Sequence, residues 1–438
     1  MADECPVNKS VTFCKQTEEE LVIFLNYDIL FPGKELFMEK NVSKPSFRRI
    51  VSLLSLLVCL TLLFPGVSDV RAEGNIVMVC LNIGKADSIL LKGDGWAYLI
   101  DTGYEQSFPA IETMLAQYGV TRLDGVFLTH CHKDHSGSLM RLAQSGTEVG
   151  AWYGAEIYYD VKPQKHPLLL AAEEAGASVT WLKAGDVIHA GKDASFTVLG
   201  PLKVDTDNEN NNSLVMRFSS PFGSILLCGD MKEAEESSLL SSGAIVPCDI
   251  LKCGHHGDSG ATSNALLAAV RPEFALISTA TGEEEDTPGG GTLRRLNAAG
   301  VKVYVTQDFR DAVEFRLGAT GITAGDIAWN GIPERVRGLE MRISLADDTV
   351  TVINTASADI IVEDAVLYSS KGTQLFDLGR LIVPAKGSVV IGSSVSPSSC
   401  DLYVSSKKQV WHTGELDTAV LYDRWGRPLA WANNGLPE

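Results

Sequence analysis

Thr129-His130-Cys131-His132-Lys133-Asp134-His135 is the stretch on which the reading of this chain turns. Four potential ligands, His130, His132, Asp134 and His135, fall within six residues. They follow the apolar run Gly125–Leu128, whose aromatic and branched side chains suit a strand. A sharp turn after that strand projects His130 and His132 to one side. Asp134 and His135, at the start of the next helix, reach a second position nearby. Imidazole and carboxylate suit Zn2+ and neighbouring transition metals. A solvated polar turn is the competing reading; the preceding strand and the following Gly137 speak against it.

A two-metal site needs ligands from elsewhere, and three more strand ends offer them. Asp230 closes the run Ser224-Ile225-Leu226-Leu227-Cys228-Gly229-Asp230, where a carboxylate can bridge two cations. A Gly-Asp pair alone is usually a turn or a helix cap, so it gains meaning only beside the histidine cluster. His255 and His256 follow Ile250-Leu251-Lys252-Cys253-Gly254. Both are candidate ligands; the sequence leaves open which one binds and which orients a ligand or meets substrate. Asp134 and His256 are the candidate catalytic groups. Asp101, in Leu99-Ile100-Asp101-Thr102-Gly103, is expected to accept a hydrogen bond from a ligand histidine and fix its ring, with Thr129 in a similar role. Asn211, Asn212 and Ser213 precede a strand and form a candidate substrate loop. His166, His189 and His412 lack strand-end context and are expected to be structural or superficial. A complete site often has a further histidine between the first cluster and Asp230, and none is assigned.

Around these motifs, residues 75–325 alternate β-rich runs with helical stretches. Strands are expected at Asn75–Leu81, Ser88–Lys92, Ala97–Ile100, Ser195–Leu199, Ser213–Phe218, Phe274–Ile277 and Lys302–Val305, among others. Helices are expected at Pro109–Tyr118, Pro167–Ala175, Asn264–Val270 and Gly291–Ala299. The pattern is that of a layered α/β domain, 73–325. Asp326–Arg337 reads as a linker, and 338–438 as an all-β sandwich of short strands separated by turns such as Pro384-Ala385-Lys386-Gly387.

Residues 1–72 read as an extension plus a secretory signal. Arg48 and Arg49 lead the apolar run Ile50–Phe64, with small residues at Val70 and Ala72, and cleavage is expected after Ala72. The run is shorter than the roughly 20 residues that comfortably span a bilayer, so no stable span is expected after cleavage. Met38 begins a better signal start than Met1. The nine cysteines are scattered, without CxxC pairs, and read as buried free thiols. A formal net charge of -18 argues against broad nucleic-acid binding, though not against a nucleic acid held at a local metal site.

Thr129–Gly137, Asp101-Thr102-Gly103, Gly229-Asp230 and Gly254-His255-His256-Gly257 occur in the order and spacing of the metallo-β-lactamase superfamily. Leu81-Asn82-Ile83-Gly84-Lys85-Ala86-Asp87-Ser88 and Asn211-Asn212-Ser213-Leu214-Val215 resemble, within it, the ComEC-like competence-protein hydrolase domain. Over about 75–320 the resemblance implies an αββα sandwich with two divalent metal ions, zinc or manganese, at one edge of the sheets. Departures are Asn82 and Lys85-Ala86, where many relatives have Asp and Gln-Gly, and Thr287-Pro288 where His-Pro is common. The C-terminal part is similar to the lamin-tail domain through Thr349–Thr355, Val383–Val389 and Ala419–Gly426. That likeness implies an immunoglobulin-like sandwich that binds cell-surface material or protein.

The expectation is therefore a secreted or cell-surface hydrolase that activates water at a dinuclear site. The subgroup implies a phosphodiester substrate, such as DNA or a phosphorylated wall polymer. A β-lactam or thioester substrate is the alternative. A cell-surface binding protein with a weakly active or inactive hydrolase domain is the competing class.

Overall fold

The strand Gly125–Leu128 lies deep in an eight-stranded sheet, and its Phe127 shows why. The ring is fully buried and packs on Phe196 of a second, seven-stranded sheet at 4.9 Å between centroids. Met78 and Leu91 from the first sheet meet Phe218, Ile225 and Leu276 from the second in the same core. Each such side chain contributes roughly 1.5–3 kcal/mol on burial, so the sheet-on-sheet layer is the main source of cohesion. The structure is a computed structural model; it describes residues 76–436 apart from 282, 284–286, 373, 394–395, 397–398, 405, 407 and 412–413. The expected signal segment, the Met38 start, Cys5, Cys14, Cys59 and His412 lie outside the described residues.

Helices cover the outer faces. Ile111 and Met114 of the helix Phe108–Gln117 and Leu168 of Pro167–Glu174 pack on Val79, Leu90 and Val126 of the first sheet. Leu239, Leu266 and Leu296, from Glu233–Ser242, Asn264–Val270 and Gly290–Ala298, pack on Leu226 and Leu251 of the second. Helix, sheet, sheet, helix is the expected four-layer α/β order.

The topology also places the chemistry. Trp96–Ile100, Gly125–Leu128, Trp152–Ala155 and Val179–Leu182 run parallel in the first sheet. Gly223–Leu227, Ile250–Lys252, Phe274–Ile277 and Lys302–Val305 run parallel in the second. Open α/β sheets present their binding sites beyond the carboxyl ends of such strands. Asp101, the 130–135 loop, Asp230 and His256 all follow those ends.

The first sheet reaches further along the chain than expected. Ala312–Gly318 and Gly321–Ile327 complete it, so Asp326 and Ile327, read as the start of a linker, close a strand. Exposure alternates weakly along this edge strand, which leaves little apolar pattern to read. Trp329 is buried against the outer helix layer, and its N–H donates to Asp311 Oδ2 at 2.9 Å.

Beyond it, Leu339–Ser344, Thr349–Asn354, Ser388–Ser393 and Leu402–Val404 form one four-stranded sheet. Gln374–Val383, Ile360–Ser369, Thr418–Tyr422 and Pro428–Asn433 form another. Val350, Val352, Leu367, Leu381, Trp411 and Leu421 share one core between them, which makes this part all-β. The described residues fall within one compact unit, Asp69–Glu438. Cys80, Cys131, Cys228, Cys248 and Cys253 are free thiols, and all but Cys131 are buried. Among the described residues no helix is long and apolar enough to cross a membrane.

Candidate metal centre

Three loops converge. Asp134, His135, Asp230 and His256 place one ligand atom each within 4.8 Å of one another, and so do His130, His132 and Asp230. Asp230 belongs to both groups. Its Oδ2 lies 3.2 Å from His135 Nε2, 3.5 Å from His256 Nε2 and 3.7 Å from His130 Nε2. Asp134 Oδ2 is 3.3 Å from His256 Nε2, and His130 Nε2 is 3.0 Å from His132 Nδ1. Seven expected ligand positions thus resolve into six that converge and one that does not. His255 turns aside, with its Nδ1 3.2 Å from Asp258 Oδ2, and lines the cleft outside both donor groups.

The local backbone explains the split of the histidine pair. His255 and His256 both adopt positive φ, 44° and 52°. Each such non-glycine residue costs on the order of 1–3 kcal/mol and persists only where its surroundings over-determine it. Here Gly254 lets the chain pass so close to the Met231 carbonyl that a Cβ would collide with it. His256 Nδ1 donates to the Ser278 carbonyl at 2.8 Å, which turns its Nε2 toward the carboxylates.

Asp101 sits where expected. Its Oδ1 accepts from Thr129 N at 2.8 Å, and its Oδ2 accepts from Thr129 Oγ1 and faces His135 Nδ1, both at 2.7 Å. A carboxylate on Nδ1 leaves His135 Nε2 free to face the pocket, the arrangement that fixes ring and tautomer of a ligand histidine. Thr129 Oγ1 is also 3.2 Å from His130 Nδ1. Asn211, Asn212 and Ser213 point elsewhere than a substrate loop would. Ser213 Oγ accepts from Asp230 N at 3.0 Å, Asn211 Oδ1 from Lys232 N at 3.1 Å, and Asn212 Nδ2 donates to Glu209 Oε2 at 2.7 Å. Ser213 and Asn211 brace the Asp230 turn and Asn212 ties its own loop together, while Asn208 and Asn210 of the same loop line the cleft.

His166 and His189 leave the histidine gap open. His166 is buried behind the 130–135 loop, 3.2 Å from Cys131 Sγ, and meets Tyr158 and Trp181 edge-on. Burial lowers its pKa to about 4 and raises the Cys131 thiol, so the pair is neutral. His189 is exposed on the strand Val187–Ala190.

Two residues outside the expected set matter. Lys252 is fully buried on a short apolar strand, with Nζ 2.8 Å from Asp87 Oδ2 and donating to the Cys253 carbonyl at 2.9 Å. Asp87 in turn accepts from Ser278 Oγ and lies 3.8 Å from His256 Nδ1. A lysine among Ile250, Leu251 and Cys253 was the available signal. Lys85, one of the sequence departures, sets its Nζ 3.5 Å from Asp134 Oδ2 at the mouth of the site. The other, Thr287, is buried and accepts from Thr279 Oγ1 at 2.9 Å.

The electrostatics call for positive charge. Burial would raise Asp134 and Asp230, yet Lys85 and the imidazoles hold Asp134 well below the usual carboxylate range, and His135 and His256 do the same for Asp230. Burial would lower the two histidines, but Asp230 and its carboxylate neighbours push His135 well up and His256 to about 9. His130, without enough carboxylate around it, is driven well down by burial and by His135. Asp230 Oδ1 is buried with no hydrogen-bond partner. A buried ionised carboxylate oxygen without a donor is costly, and a shared position between two nitrogen-rich donor groups is where a divalent cation would relieve it. The donor set, imidazole and carboxylate with no thiolate, fits zinc and its neighbours.

Sequence comparison agrees with this geometry. Residues 81–281 match the family model described as Metallo-beta-lactamase superfamily. Residues 81–281 are a metallo-beta-lactamase domain. The chain is 27% identical over 282 residues to ComE operon protein 3 of Bacillus subtilis (strain 168), covering 59% of this chain and 35% of that protein. It is 27% identical over 254 residues to Competence protein ComA of Neisseria gonorrhoeae, covering 58% and 34%. Recombination protein 2 of Haemophilus influenzae is 27% identical over 274 residues, covering 60% and 32%. The chain thus spans about a third of the length of the curated relatives it matches.

The cleft over the donor groups holds about 670 Å3. Asp134, Asp230, His132 and the buried Lys85 line it, and the more exposed Lys133, Lys232 and Lys371 stand around its opening. Partial burial and the neighbouring Lys371 ammonium hold Lys133 below the ordinary lysine range.

Proposed function

We propose that this chain is a secreted metal-dependent hydrolase that uses a dinuclear centre to cleave phosphodiesters. The observation that carries the reading is Asp230 shared between two donor groups, one with His130 and His132, the other with Asp134, His135 and His256. Two cations bound there, zinc by ligand chemistry, would supply Lewis acidity and lower the pKa of water from about 15.7 to about 7. The chain's own groups divide the remaining work. Asp101 and the Ser278 carbonyl hold His135 and His256 with Nε2 toward the centre. Asp134, which lines the cleft, is the candidate group to take up the proton from the attacking water. Lys232, beside the cleft, faces the anionic phosphoryl oxygens.

A phosphodiester chain, with an anion at every linkage, is favoured over a β-lactam or thioester by those lysines on a chain of net charge -18. Two relatives bear the names competence protein and recombination protein, which supports nucleic acid as the diester. The C-terminal all-β part we read as a lamin-tail-like, immunoglobulin-like sandwich, and residues 38–72 as a cleaved secretory signal.

The test is turnover of bis(p-nitrophenyl) phosphate and of single-stranded DNA by the purified protein supplied with Zn2+ or Mn2+. Turnover that a chelator abolishes, and that His132→Ala and Asp134→Ala each reduce by about 100-fold or more, supports the reading. Turnover that survives chelation, or bound metal with no hydrolysis of any diester, β-lactam or thioester, overturns it.

A further inference from the structure

The C-terminal all-β part closes one wall of the cleft. Tyr368, Ser370, Lys371, Glu415, Leu416 and Thr418 line it together with Tyr104, Lys133 and the donor groups. The contact is built. Tyr368 packs on Tyr104 with ring centroids 5.2 Å apart. Thr418 Oγ1 donates to the Glu283 carbonyl at 2.8 Å, while the Glu283 carboxylate accepts from the backbone N–H of Lys85 at 2.6 Å. Further from the cleft, Arg427 is buried against Asp311 at 2.9 Å and Trp431 Nε1 donates to the Thr281 carbonyl at 3.0 Å. These contacts fix the turn between the strands Ile360–Ser369 and Gln374–Val383 over the metallo-beta-lactamase domain, with Lys371 at its tip. Lys371 and Lys133 then stand on opposite walls of one opening, both exposed. Glu415 on the same wall pairs with Lys371.

We propose that Lys371 and Lys133 form a cationic clamp that grips the phosphates flanking the scissile one, so that the substrate class is a polyanionic phosphodiester chain. The inference rests on the hydrolase reading for the scissile bond, though not for the clamp itself. It assigns the β-sandwich a part in substrate selection. Two ammonium groups held near one another by the fold are destabilising until an anion lies between them. A chain with successive phosphates can occupy the donor groups and the clamp together, since both line one cleft. Glu415 is then an internal competitor that a bound polyanion displaces from Lys371.

The test reads binding as well as turnover, on the full chain. A fluorescent single-stranded phosphorothioate oligonucleotide is titrated against wild type, Lys371→Gln, Lys133→Gln and Glu415→Gln, with Lys302→Gln as a control far from the cleft. Each lysine variant should weaken binding about fivefold to tenfold and flatten the log Kd against log salt slope by about 0.7, the counterion share of one lost contact on a single strand. Glu415→Gln should tighten binding about threefold. In turnover, the lysine variants should lose at least fivefold more kcat/KM on the oligonucleotide than on bis(p-nitrophenyl) phosphate. Equal binding by wild type and lysine variants overturns the clamp whatever turnover does, as does equal loss on both substrates. Clamp-dependent binding with no turnover leaves the clamp standing and removes the phosphodiesterase reading instead.

Discussion

Replacing Asp101 by Asn tests whether the buried carboxylate behind the metal site does what its geometry implies. Asp101 is fully buried, has φ 58°, and takes Thr129 N, Thr129 Oγ1 and His135 Nδ1 at 2.7–2.8 Å. Asn tolerates that backbone and keeps the shape, so the fold survives. What changes is the atom facing His135 Nδ1, from an anionic acceptor to one that is neutral or a donor. A hydrogen bond to a charged group is worth about 1.5–3 kcal/mol, and loss of an outer partner of a ligand histidine costs about 10- to 100-fold in metal affinity, the same range. Competition against a chromophoric chelator should therefore show the tighter coupling at one position only. The group containing His135 should weaken about 10- to 100-fold, and the His130–His132 group, which meets Asp101 only through Thr129, by less than threefold. Unchanged affinity at both, or the same loss at both, would refute the argument.

Two further outcomes follow from buried groups. Arg427→Met leaves Asp311 and Asp423 unpaired in the contact between the metallo-beta-lactamase domain and the β-sandwich. Breaking a buried pair costs about 3–5 kcal/mol, which should appear as a lower urea midpoint and, if the two parts separate, a second transition. His166→Phe addresses pH. Burial lowers the folded pKa of His166 to about 4, against about 6.5 in the unfolded chain. Between those values the unfolded chain binds the extra proton, so stability is lost as pH falls from about 6.5 to 4. Discounted for partial solvent screening, the effect is about 2 kcal/mol; urea titrations of His166→Phe should show that slope flattened, and an unchanged slope would assign it to other groups.

The sequence made the strand-end chemistry legible because each functional residue follows an apolar run that could only be a buried strand. Leu128 before the histidine loop, Leu227 before Asp230 and Lys252 before His256 all end such runs. What stayed hidden depended on side-chain direction. His255 and His256 are adjacent and chemically identical, and only the left-handed backbone at both decides that His256 points inward. Asn211, Asn212 and Ser213 read as a polar loop beside a site, yet their amides and hydroxyl are consumed by the Asp230 turn and by Asp205 and Glu209 of their own loop. The edge strand Gly321–Ile327 was hard to read because its inward residues are only half-buried and it carries two glycines. The reach of Lys371 into the cleft is a long-range fact that no local pattern carries.

The most direct test of the account is the metal content of the purified protein, measured by mass spectrometry after exhaustive dialysis against Zn2+-buffered solution. Wild type should hold about two equivalents, and Asp230→Ala, which removes the oxygen common to both donor groups, should fall below one. Wild-type protein that binds no metal, or an Asp230→Ala variant that keeps both ions, would contradict the shared centre on which the function has been argued.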